Sequence, residues 1–194
     1  MPRVALVAAF VVLVACAPAR AGYDDGLKSF KNGDYAAALR ELRPLAEEGN
    51  ADAEAKLGNM YMQGKGVKQD FTTAMRWLKQ AAADGDVAVA ECDIGRLYYN
   101  GAGVERDYAR SARWFQRAAD QGYAEAQIGL GTLSEYGLGV PKDYVRAYML
   151  FQLASKAGDQ GAPQRRDEVG GVMRPGDIAT AERQADSWKP RSTQ

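Results

Sequence analysis

The residues that could do chemistry in this chain are few: 194 residues carry 25 Lys+Arg, 25 Asp+Glu, two Cys and no His. Without an imidazole, Ser-His-Asp and Cys-His devices and His-ligated metal sites are excluded within the chain. Carboxylate, thiol and glycine-loop chemistry remain. The acid pairs Asp24-Asp25 and Glu47-Glu48 are sequence neighbours. On a helix such neighbours diverge by about 100° and cannot flank a scissile bond as glycosidase carboxylates do. Gly64-Lys65-Gly66, Gly101-Ala102-Gly103 and Gly137-Leu138-Gly139 lack the third Gly and the Lys-Ser/Thr of phosphate loops, so they read as turns. Cys92 takes a slot filled by Ala55 and Ile128 in equivalent segments, and so reads as a small buried apolar residue. No catalytic residue, metal-ligand set or cofactor is expected.

The elements around these residues begin with an apolar run, residues 4–15, behind Arg3. It is short for a bilayer span and typical of a signal peptide. Two processing readings stay open. Ala19-Arg20-Ala21 has the form of a signal peptidase site before Gly22, making residues 1–21 a cleaved signal. Alternatively, Leu13-Val14-Ala15-Cys16 resembles a lipobox whose Cys16 would be acylated. A periplasmic or secreted protein is expected, or one lipid-anchored to the outer membrane through Cys16. No transmembrane segment is expected in the mature chain. With 46% hydrophobic and 26% charged residues the rest is globular in composition. Zero net charge without a basic block gives no electrostatic reason to expect nucleic acid as partner.

Beyond the leader the sequence repeats. Asp precedes an aromatic at Asp34-Tyr35, Asp70-Phe71, Asp107-Tyr108 and Asp143-Tyr144, with a degenerate copy at Asp177-Ile178. Gly49, Gly85, Gly122 and Gly158 each follow the first four Asp residues by 15 positions. Each interval reads as a helix, here called B, with an Asp N-cap and a Gly that tolerates a left-handed exit. Ahead of three of them lie Ala51–Gly58, Ala88–Gly95 and Ala124–Gly131, with small and apolar residues at helical spacing. These are helix A. Gly58, Gly95 and Gly131 each cost about 1 kcal/mol of helix propensity, and their recurrence in register points to close helix–helix approach.

The order Ala-x-Ala-x-x-x-Leu-Gly, Tyr, Gly-x-Gly-Val, Asp-Tyr, Ala, Trp, Ala-Ala and Gly resembles the Sel-one-like repeat, a relative of the tetratricopeptide repeat. The resemblance implies an all-α fold, an α/α solenoid of antiparallel helix pairs. Three full copies fall at 51–86, 87–122 and 123–158. Residues 22–50 form a degenerate N-terminal copy without the glycine loop, 159–190 hold C-terminal capping helices, and 191–194 are a disordered tail. The resemblance also implies a non-enzymatic scaffold or adaptor in the bacterial envelope that binds protein partners.

Recurrence of Trp77, Trp114, Tyr61 and Tyr98 at equivalent sites assigns them to packing. A binding surface is expected where helix-A positions vary between copies and turn off the packed stripe onto a concave face. These positions are Asn59 and Met62, Arg96 and Tyr99, then Thr132 and Glu135. Met62 and Tyr99, as large apolar groups expected to be exposed, are the leading anchors. The alternative function is a cell-wall glycan binder or an envelope hydrolase using carboxylates such as Glu135 or Asp93 across the groove.

Overall fold

A computed structural model of the chain describes residues 17–191, residue 86 excepted. The apolar run 4–15, Cys16 and the tail at 192–194 lie outside the described residues. The described residues form ten helices and no strand: α1 (Ala17–Lys31), α2 (Tyr35–Glu47), α3 (Ala51–Gln63), α4 (Phe71–Asp84), α5 (Ala88–Asn100), α6 (Tyr108–Asp120), α7 (Ala124–Tyr136), α8 (Tyr144–Lys156), α9 (Ala162–Gly170) and α10 (Pro175–Ser187). Odd-numbered helices are A and even-numbered ones B. Helix α1 starts ahead of the expected cut after Ala21 and runs through it. Pro18 is its second residue, where a missing N–H costs nothing.

Each B helix starts where its Asp is. Asp34, Asp70, Asp107 and Asp143 accept backbone N–H bonds from the first turn. Asp177 does not cap: α10 starts earlier, at Pro175, whose fixed φ suits a first turn, and Asp177 lies inside that turn. The exit glycines take positive φ at Gly49, Gly122 and Gly158, whereas Gly85 is extended at φ −161°. Helix α4 has 14 residues against 13 in α2, α6 and α8. Gly85 therefore becomes the cap residue itself and needs no left-handed turn.

Helix A continues past the stripe seen in the sequence, to Gln63, Asn100 and Tyr136, and stops at the first glycine of each loop in the left-handed region. The aspartate that opens helix B then closes the loop. The backbone N–H groups of Asp70, Asp107 and Asp143 donate to the carbonyls of Tyr61, Tyr98 and Ser134.

Two sets of glycines place the helices. A Cβ on Gly95 would come 2.7 Å from the Phe115 ring, and Gly58 and Gly131 face Leu78 and Phe151 in the same way. Helix A thus lies against its own B helix closer than any side chain would allow. The second loop glycine instead joins repeats: a Cβ on Gly66 would meet the Tyr35 carbonyl at 2.7 Å, and one on Gly103 the Phe71 Cβ at 2.6 Å. Each loop therefore rests on the first turn of the preceding B helix. Past Tyr144 no such loop follows, and the α9–α10 turn takes that place, with Met173 and Tyr144 packed on the same cluster.

Four apolar clusters run along the array, each made mainly of two or three adjacent helices. A lone helix pair could not bury its stripe, so stacking supplies the core. Within the repeats neighbouring A helices touch, α3 with α5 and α5 with α7, while the B helices α2, α4, α6 and α8 meet one another more sparsely. The A side is therefore the inside of the curve. At the C-terminus α9 and α10 both lean on α8 more than on each other. Arg191, expected in the disordered tail, is held in place, its N–H donating to the Asp120 carbonyl at 2.6 Å.

Candidate functional site

The six helix-A positions singled out in the sequence fall into two rows. Asn59, Arg96 and Thr132 occupy one register position on α3, α5 and α7, and Met62, Tyr99 and Glu135 occupy another, nearly one turn on. The first row is polar and reaches solvent. Asn59 Nδ2 donates to Asp93 Oδ2 at 3.1 Å and receives Gln63 Nε2 at 2.7 Å. Arg96 Nη1 lies 3.5 Å from Asp93 and 3.7 Å from Glu125, with its side chain 52% exposed. Thr132 donates its hydroxyl to the Ile128 carbonyl of its own helix.

The second row forms the seam between repeats, and here the sequence expectation fails. Met62 is half-buried against the cluster containing Leu78, Ile94 and Tyr98. Tyr99 is half-buried against the cluster containing Phe115 and Leu130, with its ring edge-on to Tyr108 at 5.4 Å. Glu135 forms a 2.6 Å ion pair with Arg165 of α9. A residue off the stripe that meets its own B helix can still meet the next repeat, and this second stripe cannot be seen in one helix alone. Among the described residues the exposed large apolar groups are Val89, Tyr136 and Val172, none of which the repeat pattern marks.

Asp93, which joins Asn59 and Arg96 of this row, is nearly buried, at 3% exposure. Burial raises its carboxyl above the usual range, the Asn59 hydrogen bond and Arg96 pull it back, and Glu125 adds to the rise. The neighbouring Tyr123 phenol is likewise pushed up, by burial and then by Glu125. Cys92, 1% exposed, is held as the thiol by burial. Trp77, Trp114 and Tyr98 pack on the apolar clusters as their recurrence implied.

The carboxylates suggested for hydrolysis are held by different partners. Asp93 is drawn toward α3 by Asn59 and Glu135 toward α9 by Arg165, so they turn in opposite directions along the array. Among the described residues no three His, Cys, Asp or Glu side chains are grouped as for a metal ion, and no helix is long and apolar enough to cross a membrane.

The arrangement is shared with known proteins. One solved structure is a protective antigen present in uropathogenic Escherichia coli strains, displaying an SLR fold. It matches at a TM-score of 0.80 and 28% identity over 88% of this chain and 37% of that one. A Sel1 repeat protein from Oxalobacter formigenes matches at a TM-score of 0.71 and 26% identity, over 80% of this chain and 62% of that one. The chain thus spans under two thirds of either relative. A search of curated proteins found no match. Sel1 repeats generally mediate protein–protein interaction, and proteins built from them are typically non-catalytic scaffolds. The Sel1 repeat model matches residues 51–86, 88–123 and 124–159, leaving out Val87, the N-cap residue of α5. Over more than half of its length, and in every helix pair the model covers, the chain belongs to the Sel1 repeat family.

Proposed function

We propose that the chain is a non-enzymatic adaptor that holds a segment of a partner polypeptide along the groove lined by α3, α5 and α7. The observation that carries this reading is the loose pairing of Arg96. Its 3.5 and 3.7 Å contacts to Asp93 and Glu125 are long for ion pairs, whereas the structural pair Arg165–Glu135 closes to 2.6 Å. A half-exposed guanidinium with five donors and no tight partner can exchange its contacts for the carbonyls and carboxylates of a polypeptide. Asn59 and Thr132 continue the same polar row over three repeats. The apolar leader behind Arg3 supports a place in the cell envelope, either as a soluble exported protein or tethered through Cys16.

A photo-crosslinking residue at Thr132, compared with one at Arg113 on the exposed side of α6, tests the groove in envelope fractions. Discrete polypeptide adducts at 132 that are absent at 113, and that disappear with Arg96→Glu, are the expected result. Equal adducts at the two positions, or adducts at 132 untouched by Arg96→Glu, would refute it.

A further inference from the structure

The N-terminal end of the groove carries a feature that the repeat pattern does not explain. Lys56 of α3 and Lys65 of the first glycine loop both bring their ammonium groups over the Phe30 ring, at 4.5 and 5.0 Å from its centroid. Lys65 also lies over Tyr35, 5.4 Å from its centroid. The two rings are packed together at 5.2 Å. Lys31, the last residue of α1, is close enough to act on Lys56. Among the described residues none of these three lysines has a carboxylate within 4.0 Å. Elsewhere on the A side, cations are matched: Arg96 meets Asp93 and Glu125, and Arg165 meets Glu135.

Gathering three like charges costs free energy. Burial pushes the Lys56 ammonium below the usual lysine value, and Lys65 and Lys31 push it further against the pull of Asp93. The aromatic faces offset part of that cost. A bound anion would offset more of it.

We propose that Lys56 and Lys65 over the Phe30 ring, together with Lys31 at the end of α1, receive the carboxylates of an acidic segment of the partner polypeptide. The inference rests on the groove reading above and gives the partner its chemistry. The site opens toward Asn59 and Asp93, because Lys56 lies one helical turn before Asn59 and within the field of Asp93. A long polyanion such as nucleic acid would meet Asp93 and Glu125 directly beyond the lysines, and like charges there oppose it. A short acidic run at one end of a polypeptide fits three cations followed by two acids.

The test uses the full chain and fluorescein-labelled hexaglutamate, followed by anisotropy, with hexalysine as control. Hexaglutamate is expected to bind, hexalysine not, and affinity is expected to fall between low and moderate salt. Lys56→Gln/Lys65→Gln is expected to weaken binding about tenfold, from two partly exposed charge pairs. Circular dichroism of the double variant shows whether it is folded, and Lys31→Gln, on an exposed side chain, provides a second reading with the same direction. Binding unchanged by both variants overturns the assignment. Competition by inorganic phosphate at concentrations equal to the peptide's would also overturn it, because that identifies a small-anion site. Failure of the two ideas can be told apart. Hexaglutamate binding that depends on the lysines, together with crosslinking at Thr132 that ignores Arg96→Glu, removes the groove reading and keeps the lysine site.

Discussion

Glu91 and Asp93 stand two residues apart on α5, both buried, at 0% and 3% exposure, and the structure treats them in opposite ways. Two residues on a helix point to different sides. Glu91 faces α6, where Arg117 Nε reaches it at 2.5 Å and Gln121 Nε2 at 2.7 Å. Arg117 is further fixed over the Trp114 ring and reaches the Ala82 carbonyl of the preceding repeat. Asp93 faces α3 and has one amide donor at 3.1 Å and a guanidinium at 3.5 Å that is half in water. The B side of α5 is thus sealed by short bonds within its own repeat, with a longer contact to the preceding one. The groove side keeps its polar groups loosely matched, and loosely matched groups are the ones a ligand can recruit.

If the sealed side holds the array together, its aromatic wedge should matter most. Phe115 lies against Gly95 of α5 and Gly129 of α7, so one ring packs two repeats. Phe115→Ala is expected to cost about 3–5 kcal/mol by lost burial and the cavity left behind, measured as a shift in urea unfolding followed by circular dichroism. A loss under about 1 kcal/mol, no more than an ordinary surface change, would show that the wedge is dispensable.

Next in size is the Glu91–Arg117 pair. Arg117→Met keeps an apolar stem near Trp114 but withdraws the guanidinium from a fully buried carboxylate. Breaking such a pair from one side costs about 3 kcal/mol, while replacing both partners with apolar groups costs less. Glu91→Met/Arg117→Met should therefore be more stable than Arg117→Met alone. A double variant at least as unstable as the single one would mean that the pair contributes more than charge compensation.

The sealed side was largely legible in the sequence and the groove was not. Asp caps, paired loop glycines and the helix-A glycine are local devices, each legible within one copy and confirmed by recurrence in the next. Gly26 escaped notice although it plays the same part in α1, its Cβ position lying 2.6 Å from Leu42. It stands eight residues before Asp34, whereas Gly58, Gly95 and Gly131 stand twelve before their aspartates. The absent four-residue loop accounts for that difference, and allowing for it would have found the glycine. Met62 and Tyr99 were misread for another reason. Where one repeat sits on the next is set by stacking of two helix pairs, and no single-helix period encodes it. Lys31, Lys56 and Lys65 come from α1, α3 and a loop, so only the assembled array brings them together.

A smaller effect, of opposite sign, depends on pH. Asp93 titrates higher in the native chain than an ordinary Asp, chiefly through burial. An acid of that kind takes up a proton on folding, so its ionised form weakens the fold above its native pKa. The penalty fades as pH falls through that value and is gone below the ordinary Asp range, near 4. Asp93→Asn keeps an acceptor for Asn59 and should raise the urea midpoint at pH 7.5, with the gain vanishing toward pH 4. An Asp93→Asn variant less stable at pH 7.5 than at pH 4, each relative to the unmodified chain, would show that the Arg96 and Asn59 contacts outweigh burial.

Arg96→Ala should produce the smallest change in stability and the most informative one. A half-exposed guanidinium at 3.5 Å or more from both acids is worth little to the fold, within about 0.5 kcal/mol. Its field still holds the Asp93 carboxyl down against burial and Glu125. Removing it should leave the urea midpoint nearly unmoved and shift the Asp93 carboxyl resonance to titrate at higher pH, read by carbon NMR. The two readings together distinguish a groove cation from a structural one. An Arg96→Ala chain that unfolds as readily as Arg117→Met would place Arg96 among the seam residues, where its contacts hold repeats together and are not free to exchange for a ligand.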